Sequence, residues 1–286
     1  MDEAVVREKL KDKQRIVLKI GSSSIIHEET GEVDYRKLET LVRIICDLKN
    51  QNKDVVLVSS GAIGVGFQAL GLKNKPKTLS LKQACAAIGQ GQLMMIYQKL
   101  FMEYNHLAAQ VLLTFDAITD AERRRNAENT LNELLQQDVI PVVNENDTVA
   151  TEEIEFGDND TMSAIVAHLI HADLLILLTD IDGFYTDDPH KNPDAVKLSF
   201  VESIDDGMQD MAKGAVTNYG TGGMSTKIAA AKIATDSGAD MAILDASRLS
   251  LIYDLMDGKQ VGTLFLAHDN DDFDTVDFIV HKGYLN

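Results

Sequence analysis

Cysteine is almost missing from this chain: Cys46 and Cys85 stand alone in 286 residues, both inside apolar helical patterns. They give no disulfide framework, and a packing role in a reducing compartment fits them. Positive charge is also scarce. Lys and Arg number 27 against 45 Asp and Glu, a formal net charge of −18, which opposes nucleic acid and anionic membrane surfaces. The densest basic run, Arg123-Arg124-Arg125, is flanked by Asp120, Glu122 and Glu128 and reads as a solvated helix face. Long apolar runs are missing too. No segment approaches the ~20 residues of a membrane span, and the opening MDEAVVREKLKDKQR has no apolar secretion core. The seven His show no ligand cluster, since His168 and His171 share a helical face without a third ligand. The expectation is a soluble, cytoplasmic protein with no nucleic-acid partner, no membrane and no metal held by its own side chains.

Apolar residues are plentiful, at 45% of the chain, so one large α/β domain or two intimate lobes can bury a substantial core. The stretch from Phe156 to Pro189, FGDNDTMSAIVAHLIHADLLILLTDIDGFYTDDP, reads as acidic loop, helix, buried strand and acidic turn in succession. Asp158, Asn159 and Asp160 precede Met162, Ile165, Val166 and Leu169 at helical spacing, so an Asn or Asp can cap a helix whose dipole favours anions. Leu174 to Leu178 is continuously apolar, as in a parallel strand covered on both faces. It ends at Thr179-Asp180, where open α/β sheets place ligands.

Elsewhere the same alternation recurs. Ile16 to Ile20 is a β-branched run interrupted by Lys19. An ammonium in a buried strand must be paired or serve a ligand, and the following Gly21-Ser22-Ser23-Ser24 turn offers N–H groups to phosphate. A helix is expected over about Tyr35–Asn50, then a strand over Val55–Val58 that ends in Ser59-Ser60-Gly61-Ala62-Ile63-Gly64-Val65-Gly66. These glycines allow a ligand close to backbone amides, with a serine hydroxyl suited to carboxylate or phosphate. Leu81–Met102 reads as a buried or interfacial helix, Ala108–Leu113 as a strand and Asp120–Gln137 as a helix. Val139–Val143 then opens into Asn144-Glu145-Asn146-Asp147, four acceptors able to meet an amino group.

In the second half, the aromatic pair Phe184-Tyr185 within Asp182–Pro189 offers a surface for a purine. Gly220-Thr221-Gly222-Gly223-Met224-Ser225-Thr226-Lys227 opens a helix over Ile228–Ser237, which Gly238 closes. Glycines, hydroxyls and Lys227 at a helix N-terminus form an anion cradle. It is not a Walker A loop, because the hydroxyl residues precede the lysine. Met241–Leu244 adds a strand.

Six segments, IVLKIGSSS, VVLVSSGAIGVG, VIPVVNENDTVA, FGDNDTMSA, LLTDIDGFYTDDP and GTGGMSTK, stand in that order up to about Phe265. In them the chain resembles the amino-acid kinase family, most closely its glutamate-phosphorylating branch. The resemblance implies an open, mostly parallel α/β sheet sandwiched between helices. It also implies a single kinase domain over 1–286, with an amino-acid-binding half at about 1–170 and a nucleotide-binding half at about 171–286. The reaction so implied moves the γ-phosphoryl of ATP, with Mg2+, to the γ-carboxylate of L-glutamate. Proline is the implied feedback inhibitor, glutamate-5-semialdehyde dehydrogenase the consumer of the product, and a homo-oligomer the assembly. Lys19, Asp160 and Lys227 would be catalytic, Asp160 holding the two ammonium groups. Ser60, Gly61, Asp147 and Asn159 would bind glutamate. Lys19, Thr179, Asp180, Thr221, Gly222, Gly223, Met224, Ser225, Thr226 and Lys227 would bind ATP. Many members continue into a small C-terminal PUA domain, expected to be absent here. Competing expectations are an acetylglutamate or aspartate kinase-like enzyme, or a silent glutamate or proline sensor.

Overall fold

The structure, a computed structural model, describes residues 2–149, 159–187, 192, 194–204, 208, 223–268, 270 and 273–279. In chain order the helices are α1 (Glu3–Glu8), α2 (Ser22–Ile25), α3 (Tyr35–Asn50), α4 (Ala62–Ala69), α5 (Leu79–Glu103), α6 (Asp116–Thr119), α7 (Ala121–Gln136), α8 (Asn159–Leu169), α9 (Met224–Asp236), α10 (Leu251–Met256) and α11 (Thr275–Asp277). The strands are β1 (Arg15–Ile20), β2 (Asp54–Ser59), β3 (Ala108–Leu113), β4 (Ile140–Glu145), β5 (Leu174–Thr179), β6 (Phe184–Tyr185), β7 (Lys197–Leu198), β8 (Phe200–Val201), β9 (Asp240–Asp245) and β10 (Thr263–Phe265). The chain divides into two compact units, residues 20–155 and residues 1–19 with 156–286.

In the unit of residues 20–155 the strands run β3-β4-β2, all parallel. The apolar runs of β2 and β4 are buried, β2 hiding every residue after Asp54, whereas β3, at the end of the order, buries only Val111 and Leu113. Side-chain caps set the helix starts as the sequence suggests. Asp34 accepts from the Lys37 N–H, Thr78 from Leu81, and Asp120 from Glu122 and Arg123. The glycine-rich stretch after Ser59 turns into α4 at Ala62. Glycine lowers helix propensity, yet here it lets two helices touch. A Cβ on Gly66 would lie 1.8 Å from the Cys85 carbonyl oxygen, and one on Gly89 1.8 Å from that of Ala62. Gly61, at φ +104°, makes the left-handed turn before α4. Cys46 and Cys85 are buried, and burial with Asp47 nearby pushes the Cys46 thiol up to about 12.

In the other unit the order is β1-β5-β9-β10-β8. β5 and β9 are parallel in register from Leu174↔Asp240 to Thr179↔Asp245, whereas β10 runs antiparallel to β9. All six residues of β5 are buried, the pattern of a strand covered on both faces. Arg7, itself buried, donates to the carbonyls of Ser199, Val261 and Lys259 and pairs with Glu3 at 2.7 Å, fastening α1 to the loops around β8 and β10. Both units are therefore α/β with mostly parallel strands, as the sequence led us to expect. No helix among the described residues is long and apolar enough to cross a membrane.

Candidate active site

Lys19 is the fifth residue of β1, and its alternation would carry it into a packed interior. It is buried there, with its Nζ 2.5 Å from Asp160 Oδ1. Asp160, fully buried in the first turn of α8, receives Lys227 Nζ on its other oxygen at 3.1 Å. Lys227 comes from the first turn of α9, also buried. Three elements distant in sequence thus bring two ammonium groups onto one carboxylate. Burying such charges is costly unless each is paired, so loss of Asp160 removes the carboxylate that both ammonium groups share, whereas loss of either lysine leaves Asp160 paired with the other.

The helix starts hold this geometry. Ser163 donates to the Asp160 carbonyl at 2.5 Å, closing the first turn of α8 on itself. Asn159 is the first residue of that helix, one position before Asp160. In α9, Gly223 is the N-cap and Thr226 donates to the Gly223 carbonyl at 2.8 Å, which leaves Met224 and Ser225 in the opening turn. The helix starts four residues earlier than its apolar pattern suggests, so Lys227 sits inside it. Thr221 and Gly222 lie outside the described residues. At the end of β5 the Thr179 hydroxyl donates to the Asp180 carboxylate at 3.0 Å.

Phe184 departs from its expected ligand-facing role. It is fully buried and edge-on to Phe265, with ring centroids 5.8 Å apart. Core packing claims that ring. Tyr185 is instead tethered, donating to Asp182 Oδ1 at 2.7 Å, while Lys197 meets the other carboxylate oxygen at 3.0 Å.

Within residues 20–155, Ser60 follows β2 and its N–H donates to the Ile20 carbonyl at 3.1 Å. Gly61 makes the turn beyond it, and Asp147 begins the turn after β4, half-buried. Two residues of these same loops are more deeply placed, against partners on α5 that the sequence did not announce. Ser59 is buried against Tyr97, hydroxyl to hydroxyl at 2.8 Å, and Asn144 donates to Gln90 Oε1 at 2.9 Å. The signal was a Gln and a Tyr hydroxyl on the buried side of α5, where the periodicity calls for apolar groups only.

The description "Amino acid kinase family" matches residues 14–245 of the chain. The chain belongs to that family. It is 48% identical over 266 residues to the glutamate 5-kinase of Clostridium perfringens (strain 13 / Type A), covering 92% of this chain and 98% of that one. With the glutamate 5-kinase of Carboxydothermus hydrogenoformans identity is 53% over 260 residues, 91% of this chain and 70% of the relative. Among solved structures, carbamate kinase from Giardia lamblia bound to AMP-PNP aligns at a TM-score of 0.62 with 15% identity, over 90% of this chain and all of that one. The product complex of T. acidophilum isopentenyl phosphate kinase gives 0.60 at 18% identity, over 88% and 100%. At such identities these two establish the amino acid kinase fold alone.

Proposed function

We propose that this chain transfers the γ-phosphoryl group of ATP to the γ-carboxylate of L-glutamate, forming γ-glutamyl phosphate, the opening step of proline biosynthesis. The observation that carries the chemistry is the buried Lys19–Asp160–Lys227 triad. A carboxylate nucleophile is already ionised, so no general base is required. One carboxylate oxygen bonds to the γ-phosphorus as the bond to the β,γ-bridging oxygen breaks and ADP leaves. Alignment and charge stabilisation then dominate. Lys19 and Lys227 meet the phosphoryl oxygens, and Asp160 sets where their ammonium groups stand. Ser60, Gly61, Asp147 and Asn159 bind glutamate. Thr179, Asp180 and the segment from Thr221 to Lys227 bind ATP.

Magnesium fits as a passenger on the ATP phosphates, keeping several of its waters. Both oxygens of Asp160 are engaged by ammonium groups, which disfavours that carboxylate as an ion ligand. Bound ion would neutralise phosphate charge beside the lysines. The acyl phosphate is labile and is reduced next by glutamate-5-semialdehyde dehydrogenase. Proline, sharing the α-carboxylate and amino nitrogen of glutamate, competes for the pocket of the Ser59–Gly61 and Asn144–Asp147 loops. A homo-oligomer is supported by α5, where Ile88, Met95 and Met102, seven residues apart, are 37%, 64% and 66% exposed. The whole chain acts in the cytoplasm as one kinase domain.

The test is to incubate the protein with glutamate, ATP and magnesium and to trap the acyl phosphate with hydroxylamine. Hydroxamate with glutamate, and little with aspartate or N-acetylglutamate, is expected; a reversed preference would assign a different acid, and none at all would favour a silent amino-acid sensor.

A further inference from the structure

Helix α5 buries Cys85, Ala86, Gly89, Leu93, Met94 and Phe101 on one side. Gln90 and Tyr97 interrupt that apolar side. They stand seven residues apart, two helical turns, and so share a face. Each reaches the end of a different strand. Gln90 accepts from the buried Asn144 side chain, three residues before Asp147. The Tyr97 hydroxyl meets Ser59, whose own hydroxyl donates to the Ser60 carbonyl at 3.2 Å. Because the serine proton is used there, Tyr97 is the donor in the pair. Burial raises the Tyr97 phenol above its ordinary range, which keeps it protonated for that role.

A helix that only needed to pack would place Phe and Met or Leu at these positions, and exchanging both members of a buried polar pair for apolar groups of like shape is nearly neutral. Two polar pairs are instead placed beside the two loops. α5 is also fixed against α4 by the glycine contacts at Gly66 and Gly89, so its side chains have a rigid base from which to act.

We propose that Gln90 and Tyr97 are positioning residues which set the Asn144–Asp147 and Ser59–Gly61 loops at the separation that glutamate requires. The inference rests on the assignment of those loops to glutamate. Tyr97→Phe and Gln90→Met then each raise the glutamate KM roughly tenfold, the scale of one lost hydrogen bond, with the ATP KM and kcat little changed. Gln90→Glu, which keeps an acceptor for Asn144, recovers much of the loss. Ser59→Ala raises the glutamate KM at least as much as Tyr97→Phe, because it also removes the bond to the Ser60 carbonyl, and adding Tyr97→Phe to Ser59→Ala adds little further, since the Tyr97 bond is already gone. Ser59→Ala also serves if Tyr97→Phe does not fold.

Steady-state kinetics on variants with matched thermal unfolding decide the matter, with Ser60→Ala and Asp147→Ala run beside them. A glutamate KM within twofold of wild type in Tyr97→Phe and Gln90→Met, or an equal rise for ATP, overturns the positioning role. If Ser60→Ala and Asp147→Ala raise it while the α5 variants do not, the pocket stands and the positioning role falls. If none of the four does, the pocket assignment fails and the positioning role fails with it.

Discussion

The two units hold their functional side chains by different physics. In the unit of residues 1–19 and 156–286, charge does the holding: two buried ammonium groups converge on one buried carboxylate. In the unit of residues 20–155, neutral groups do it, through an amide pair at Asn144–Gln90 and a hydroxyl chain from Tyr97 through Ser59 to Ser60. The difference matches the tasks proposed for them. A migrating phosphoryl group develops charge that fixed ammonium groups meet without reorganisation. A pocket for a zwitterionic amino acid needs direction more than field, and neutral hydrogen bonds supply it.

The sharpest way to break this comparison is at its charged end. Lys227→Ala should lower kcat by more than ~10²-fold, the scale for one electrostatic stabiliser, with the fold intact by circular dichroism. Asp160→Ala strands two buried ammonium groups. Beyond losing turnover it should destabilise by about 3–5 kcal/mol, measured by urea unfolding; unchanged stability would mean the lysines find other partners at no expense.

At the residues assigned to glutamate the effects are smaller and of another kind. Asp147→Ala and Asn159→Ala should raise the glutamate KM far more than the ATP KM and should weaken proline inhibition. Steady-state rates at several glutamate and proline concentrations measure both, and inhibition that saturating glutamate leaves untouched would place proline elsewhere.

The smallest effect sharpens the comparison away from the site. The Tyr185 hydroxyl, and then Lys197, hold the Asp182 carboxyl below its ordinary 3.8. A depressed carboxylate stabilises the fold above its unfolded value, and that stabilisation is lost as pH falls through the folded one. Tyr185→Phe should therefore lower Tm slightly at pH 7, and the gap from wild type should close in acid below the ordinary carboxylate value. A gap that widened in acid would reverse the sign.

Much of this was legible in the sequence because its physics is local. Leu174–Leu178 and Val55–Val58 announce strands covered on both faces, and Lys19 is conspicuous as a lone charge in such a run. Lys227 stands at a helix start marked by glycines and hydroxyls. What escaped depends on distant partners. The propensity of Ala62–Ala69 is weakened by Gly64 and Gly66, and the reason for helix there is Cys85 and Gly89 on α5. Gln90 and Tyr97 find their partners 54 and 38 residues away, beyond any periodicity. Phe184 looked like a ligand surface because its packing partner, Phe265, follows only after the whole glycine-rich helix. The antiparallel β10, three residues long, is too short to carry a pattern.

The division between charge stabilisation at Lys227 and glutamate binding at Asp147 is tested most directly by acyl-phosphate formation at saturating glutamate and ATP, trapped as the hydroxamate, in Lys227→Ala and Asp147→Ala side by side. Saturation should return Asp147→Ala close to the wild-type rate and leave Lys227→Ala more than ~10²-fold slow. An Asp147→Ala protein that stays slow at saturation, or a Lys227→Ala protein that recovers, would contradict the account.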